Sequence, residues 1–138
     1  MDEIFRYFRI LDERFDKSLR RAQAELLSPH GLTSRHAPYL LRLAERRAGL
    51  TLTELSRAVC CDKANTTRVV QRLQSLGFAV RDCEVRGSSV RLTPAGYVLA
   101  ERLRARVRVY RERMLSTLSE SEQTALLGIM KKLSETEV

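Results

Sequence analysis

The sequence predicts a mainly α-helical chain with one small β-hairpin, and three observations carry that expectation. Apolar residues recur at three- and four-residue steps along most of the 138 residues, the spacing of amphipathic helices. Helix-start residues precede several of these stretches: Thr51 and Ser119 are each followed at capping-box spacing by a glutamate, Glu54 and Glu122. Between Phe78 and Thr93 the pattern changes to short extended runs around Arg86-Gly87, the signature of a hairpin.

Taken in order, residues 3–27 form a long helix whose stripe is Ile4, Phe8, Leu11, Phe15, Leu19, Ala22 and Leu26. Mixed charges occupy its other faces. A single stripe with no neighbouring core in sequence needs a partner, either a distant helix or another subunit. Ser28-Pro29-His30-Gly31 breaks it, and His30 reads as a solvated turn residue. Thr33-Ser34 can cap a helix over 35–47, with Pro38 in its first turn and Gly49 closing it. A short helix over 52–59 follows Thr51. The next, over 63–76, follows Asp62 as N-cap and stops at Gly77. After the hairpin, Thr93-Pro94 opens a long helix over 95–118 with a seam of Leu99, Leu103, Val107, Tyr110 and Met114. The last helix begins after Ser119 and carries Leu126, Ile129, Met130 and Leu133 on one stripe.

Residues 51–93 organise the rest. Two short helices joined by a tight connection and followed by a hairpin make a winged helix-turn-helix, an arrangement that reads DNA. The helix over 63–76 tests that idea. Thr66, Val69, Val70, Leu73 and Leu76 share one face and must pack inward. The opposite face, Ala64, Thr67, Arg68, Gln71 and Ser75 flanked by Lys63 and Arg72, is small, polar and cationic with no acid on it. Such a face can enter a major groove. Arg68 can donate twice to a guanine edge and Gln71 can pair with adenine. Lys63 and Arg72 suit phosphates, which fix register without reading sequence. The plainer account is a solvated outer face, as on any amphipathic helix; the hairpin and the charge balance argue against it.

The stretch resembles the MarR (multiple antibiotic resistance regulator) family of bacterial transcription regulators. The matching residues are Leu52-Thr53-Glu54-Leu55, Thr67-Arg68-Val69-Val70-Gln71-Arg72-Leu73, Leu76-Gly77-Phe78 and Val90-Arg91-Leu92-Thr93-Pro94-Ala95-Gly96, with helices in fitting order outside them. The resemblance implies one domain over 1–138. Residues 28–93 would be the winged core, and 1–27 with 94–138 a helical dimerisation region. It also implies a homodimeric repressor of a pseudo-palindromic operator in double-stranded DNA, with Arg86 as the wing-tip arginine and Ser88 beside it. Family wings usually carry an Asp-x-Arg-Arg-like run in a longer loop; the nearest equivalent here is Glu84-Val85-Arg86-Gly87. A small anionic or aromatic effector is implied too, with His36 and Tyr39 as candidate contacts; a helix cap and a packed tyrosine explain the same residues more simply.

Composition narrows the remaining classes. The chain is long enough for one cored domain and carries a net charge of +8, which implies an anionic partner. The excess is central: residues 1–27 are neutral, 28–113 carry +10 and 114–138 carry −2. No apolar run approaches the roughly 20 residues that span a bilayer, and no secretory signal is visible, so the expected place is the cytoplasm without membrane contact. No nucleophile–base pair, phosphate loop or metal-ligand spacing appears, so neither catalysis nor a cofactor is expected. The three cysteines cannot form a paired framework. Cys60-Cys61 reads as packing in the turn. Cys83 stands between Asp82 and Glu84, which oppose thiolate formation, so redox control there is not expected. Arg102, Arg104, Arg106, Arg108, Arg111 and Arg113 flank the long helix's seam, most simply with their stems covering its edges. The competing class is a helical adaptor that binds an acidic protein and never reads DNA; it would leave the cationic helix face and the hairpin without purpose.

Overall fold

The computed structural model describes residues 2–82 and 88–137. The elements are α1 (Asp2–Leu27), α2 (Ala37–Ala44), β1 (Leu50–Thr51), α3 (Leu52–Val59), α4 (Lys63–Ser75), β2 (Ala79–Asp82), β3 (Ser89–Leu92), α5 (Pro94–Leu115) and α6 (Glu120–Ser134). Short 3-10 turns at Ser28–His30 and Ser34–His36 link α1 to α2. The fold is therefore mainly helical with a small antiparallel sheet, as the sequence predicts. Among the described residues no helix is long and apolar enough to cross a membrane.

The helix boundaries follow local chemistry. Thr51 and Glu54 close the capping box of α3, Glu54 N–H donating to Thr51 Oγ1 at 3.1 Å and Thr51 N–H to Glu54 Oε1 at 3.2 Å. Asp62 caps α4 by accepting the Asn65 N–H at 2.6 Å. The helix expected over 35–47 is shorter. Thr33 and His36 form a capping box around a 3-10 turn, and α2 proper runs only from Ala37 to Ala44. The turn beyond it leads into a strand that the sequence pattern did not disclose.

That strand makes the sheet three-stranded, in the order β1-β3-β2. β2 pairs antiparallel with β3 from Ala79↔Leu92 to Asp82↔Ser89, and β1 adds Leu50↔Val90 and Thr51↔Ser89 on the other edge of β3. Gly49 permits this pairing. Its φ is +90°, and a Cβ there would lie 2.7 Å from the Val90 carbonyl oxygen. The glycine expected to close a helix instead admits a neighbouring strand.

The chain divides into two compact units, Met1–Val107 and Arg108–Val138. The first holds the core: Leu26, Leu27 and Leu32 join Tyr39, Leu40 and Leu43 of α2, Leu55 of α3, Val70 and Leu73 of α4, Val90 and Leu92 of β3, and Leu99 and Leu103 of α5. The inward face expected of α4 is the one buried, with Thr66 and Leu73 fully inaccessible. In the second unit Ser119 and Glu122 cap α6 reciprocally, and Gln123 Nε2 donates to the Leu115 and Leu118 carbonyls at 3.0 and 3.3 Å. The described residues of α6 contribute nothing fully buried.

Candidate nucleic-acid interface

α4 is the candidate recognition helix, and its surroundings fix its position at both ends. At the start, the buried Tyr39 hydroxyl lies 3.3 Å from Thr66 Oγ1 and accepts from Asn65 Nδ2 at 3.4 Å. Thr66 Oγ1 also donates to the Asp62 carbonyl at 2.9 Å. Tyr39 on α2 thus holds the first turn of α4, and burial pushes its phenol pKa up. Tyr39→Phe should cost about 1 kcal/mol, because Asn65 Nδ2 loses its acceptor while Thr66 keeps the Asp62 carbonyl. A denaturant midpoint unchanged from wild type would show that these long hydrogen bonds contribute nothing.

At the other end a clasp joins α4 to α5. Thr93 Oγ1 donates to the Gly77 carbonyl at 2.6 Å and accepts the Gly96 N–H at 3.2 Å, while Thr93 N–H donates to the Phe78 carbonyl at 3.0 Å. Thr93 therefore caps α5 and grips the turn after α4 with the same hydroxyl. Gly96 makes the approach possible, since a Cβ there would collide with the Phe78 carbonyl oxygen. The Leu76-Gly77-Phe78 and Thr93-Pro94-Ala95-Gly96 motifs are two halves of one contact.

Between these anchors, Lys63, Ala64, Arg68 and Gln71 lie exposed on one side of α4. Thr67 is half-buried, its hydroxyl donating back to the Lys63 carbonyl at 2.9 Å. Arg72 is placed differently from the rest. Its Nη2 donates to the Gly31 carbonyl at 3.2 Å, tying α4 to the turn after α1. In the hairpin, Ser88 Oγ accepts from Arg81 Nε at 2.7 Å. Asp82 and Arg91 pair diagonally across β2 and β3 at 2.8 Å, and Arg91 holds the Asp82 carboxyl below its usual range. The sequence alone suggests no partners for Arg81, Asp82 and Arg91. Only the strand register brings Arg81 to Ser88 and Arg91 to Asp82. Arg86 and Cys83 lie outside the described residues.

His36 and Tyr39, the candidate effector contacts, are both engaged inside the fold. Thr33 N–H donates to His36 Nδ1 at 3.0 Å, which requires the neutral ring. Burial first, and then the Arg72 guanidinium, holds the imidazole below its ordinary 6.5. Below that pH the unfolded chain takes up a proton that the folded chain resists. His36 stability is therefore complete above 6.5 and declines as the pH falls towards the lowered folded value. Urea midpoints between about pH 7 and pH 5 should fall less steeply for His36→Gln than for wild type; identical profiles would remove His36 from that dependence.

The cysteine turn differs from its expectation. Cys60 and Cys61 are exposed rather than packed. Cys60 ends α3 in the left-handed region, at φ 59° and ψ 39°.

Comparison with solved structures places the whole arrangement. A MarR family transcriptional regulator from Silicibacter pomeroyi superposes with a TM-score of 0.74 at 25% identity, over 92% of this chain and 87% of that one. A MarR family protein of Mycobacterium tuberculosis, solved in complex with DNA, superposes with a TM-score of 0.67 at 28% identity, over 90% of this chain and 94% of that one. The chain is a MarR-type winged-helix regulator. The model of the IclR helix-turn-helix domain matches residues 40–82 of this MarR-type chain, the segment from α2 to β2 that holds the reading helices. A putative transcriptional regulatory protein for the hcr operon of Thauera aromatica is 27% identical over 97 residues, 68% of this chain and 58% of that protein. The match thus spans little more than half the length of this curated relative. Family and fold are those of DNA-binding transcription regulators, which are not enzymes.

Proposed function

We propose that this MarR-type chain is a cytoplasmic homodimeric repressor of a pseudo-palindromic operator. The observation that carries the reading is the exposed face of α4, where Lys63, Ala64, Arg68 and Gln71 stand together between two anchored helix ends. Arg68 and Gln71 read base edges, with Ala64 and Thr67 contacting them through small groups. Lys63, Arg72, Arg86 and Ser88 serve the phosphate backbone. Residues 1–27 and 94–138 form the dimerisation region of a single domain whose winged core is 28–93. Apolar side chains left exposed within each unit support this, among them Ile4, Phe5, Phe8 and Leu11 in the first and Leu127, Ile129 and Met130 in the second. Large exposed apolar patches of this kind mark interaction surfaces. A small anionic or aromatic effector releases the repressor, a reading that rests on the family alone.

The test is a gel-shift with the DNA upstream of the chain's own gene, followed by footprinting. Two protected half-sites about 34–36 Å apart on one face of the duplex are expected. Absence of any preference over random DNA would defeat the reading. Phe8→Glu and Leu127→Glu should each sediment as monomers and lose operator binding, because a repressor that contacts one half-site gives up much of its affinity. A variant that stays dimeric would remove its residue from the interface.

A further inference from the structure

The turn between α3 and α4 holds two adjacent thiols that the DNA-reading mechanism does not use. Both are exposed. Cys60 is the one non-glycine residue with positive φ among the described residues. Left-handed backbone disfavours any side chain, and glycine takes it freely, so a side chain there is a lead to function rather than a packing solution. The two thiols have different settings. Cys60 Sγ lies 3.7 Å from the Arg57 carbonyl on the α3 side. Cys61 follows directly, and its N–H donates to the Ser56 carbonyl at 3.0 Å as the turn closes. Asp62, the next residue, is the N-cap of α4. A group that bridged the two sulfurs would therefore act directly beside that cap.

We propose that Cys60 and Cys61 form a dithiol site for a trivalent arsenical, and that its occupancy weakens operator binding. Such a centre keeps its organic substituent and takes two sulfurs, so it needs no third protein ligand. With phenylarsine oxide as the probe, each S–H is replaced by an S–As bond. The two protons leave with the oxide's oxygen as one water, and arsenic remains trivalent throughout. Two bonds to neighbouring residues resist exchange with single thiols, because release of one sulfur leaves the other in place to recapture the arsenic. Both thiols are free among the described cysteines. The bridged turn strains the Asp62 cap and shifts the start of α4, where Lys63 and Ala64 would meet DNA. This second half rests on the operator-binding reading above.

The experiment incubates full-length protein with phenylarsine oxide, adds excess glutathione, and measures intact mass. Wild type and Cys83→Ser should each retain one equivalent per chain and lose it to a small dithiol. Cys60→Ser and Cys61→Ser should each lose it to glutathione. Retention by either of those two variants, or loss by wild type, overturns the site. In parallel, loaded wild type should bind the operator at least tenfold more weakly than unloaded protein, with no change for Cys60→Ser treated alike. Equal affinities for loaded and unloaded wild type overturn the coupling to DNA. Capture by a protein that never binds the operator, even unloaded, supports the dithiol site and counts against the proposed function instead.

Discussion

Gly96→Ala should lower stability by about 3 kcal/mol, the upper part of the range for an overpacked core. The sign runs against local preference, since alanine in place of glycine inside a helix ordinarily gains up to about 1 kcal/mol. The collision decides it. A Cβ at 96 would meet the Phe78 carbonyl oxygen, lie 3.1 Å from the Phe78 carbonyl carbon and 3.2 Å from Leu92 Cβ. The first two atoms are backbone of the turn after α4, so no side-chain rotation relieves the contact. Either α5 withdraws and Thr93 loses the Gly77 carbonyl, or the turn shifts and carries the end of α4 with it. Thermal melts at one fixed protein concentration should show a fall of roughly 10 °C. Gly77→Ala separates collision from backbone strain. Gly77 has φ +80°, and a Cβ there would find nothing within 4 Å, so the substitution should cost only about 1–2 kcal/mol. Equal losses for the two variants would show that the clasp is looser than its distances imply.

Arg68→Ala should weaken operator binding by about 1–3 kcal/mol, the value of a good bidentate base contact. Arg68 is exposed in the middle of α4, and the helix on which it stands is fixed at both ends. Binding to random DNA should change far less, because base contacts supply specificity and phosphate contacts supply the common electrostatic part. Fluorescence anisotropy on operator and scrambled duplexes at one salt concentration separates the two. Equal losses on both duplexes would make Arg68 a phosphate contact. Arg72→Ala is the informative comparison. The Arg72 guanidinium donates to Gly31 at 3.2 Å, so its loss should loosen α4 from the turn after α1 and affect both duplexes alike.

Much of this molecule was fixed within a few residues of sequence. Three capping pairs, Thr51 with Glu54, Asp62 with Asn65 and Ser119 with Glu122, form as their spacing demands, because a cap involves only the first turn of its helix. The buried face of α4 follows from its period, since Thr66, Val69, Val70 and Leu73 must fall on one side of any helix through them. The exposed face, with Arg68 and Gln71, is then determined by exclusion.

What the sequence left open involves partners distant along the chain. β1 is two residues long and exists only because β3 offers it an edge; no period can appear over so short a run. Arg72 resembles any cation on a flank until the fold brings the Gly31 carbonyl to it. Cys60 and Cys61 read as apolar filler, yet both are exposed in the turn that follows the left-handed end of α3. Gly96 carries no visible reason in the sequence for being glycine within a helix. The reason is the Phe78 carbonyl in the turn after α4. Caps and faces are decided by the backbone's own geometry, whereas strand edges, latches and close approaches are decided by what the folded chain places opposite them.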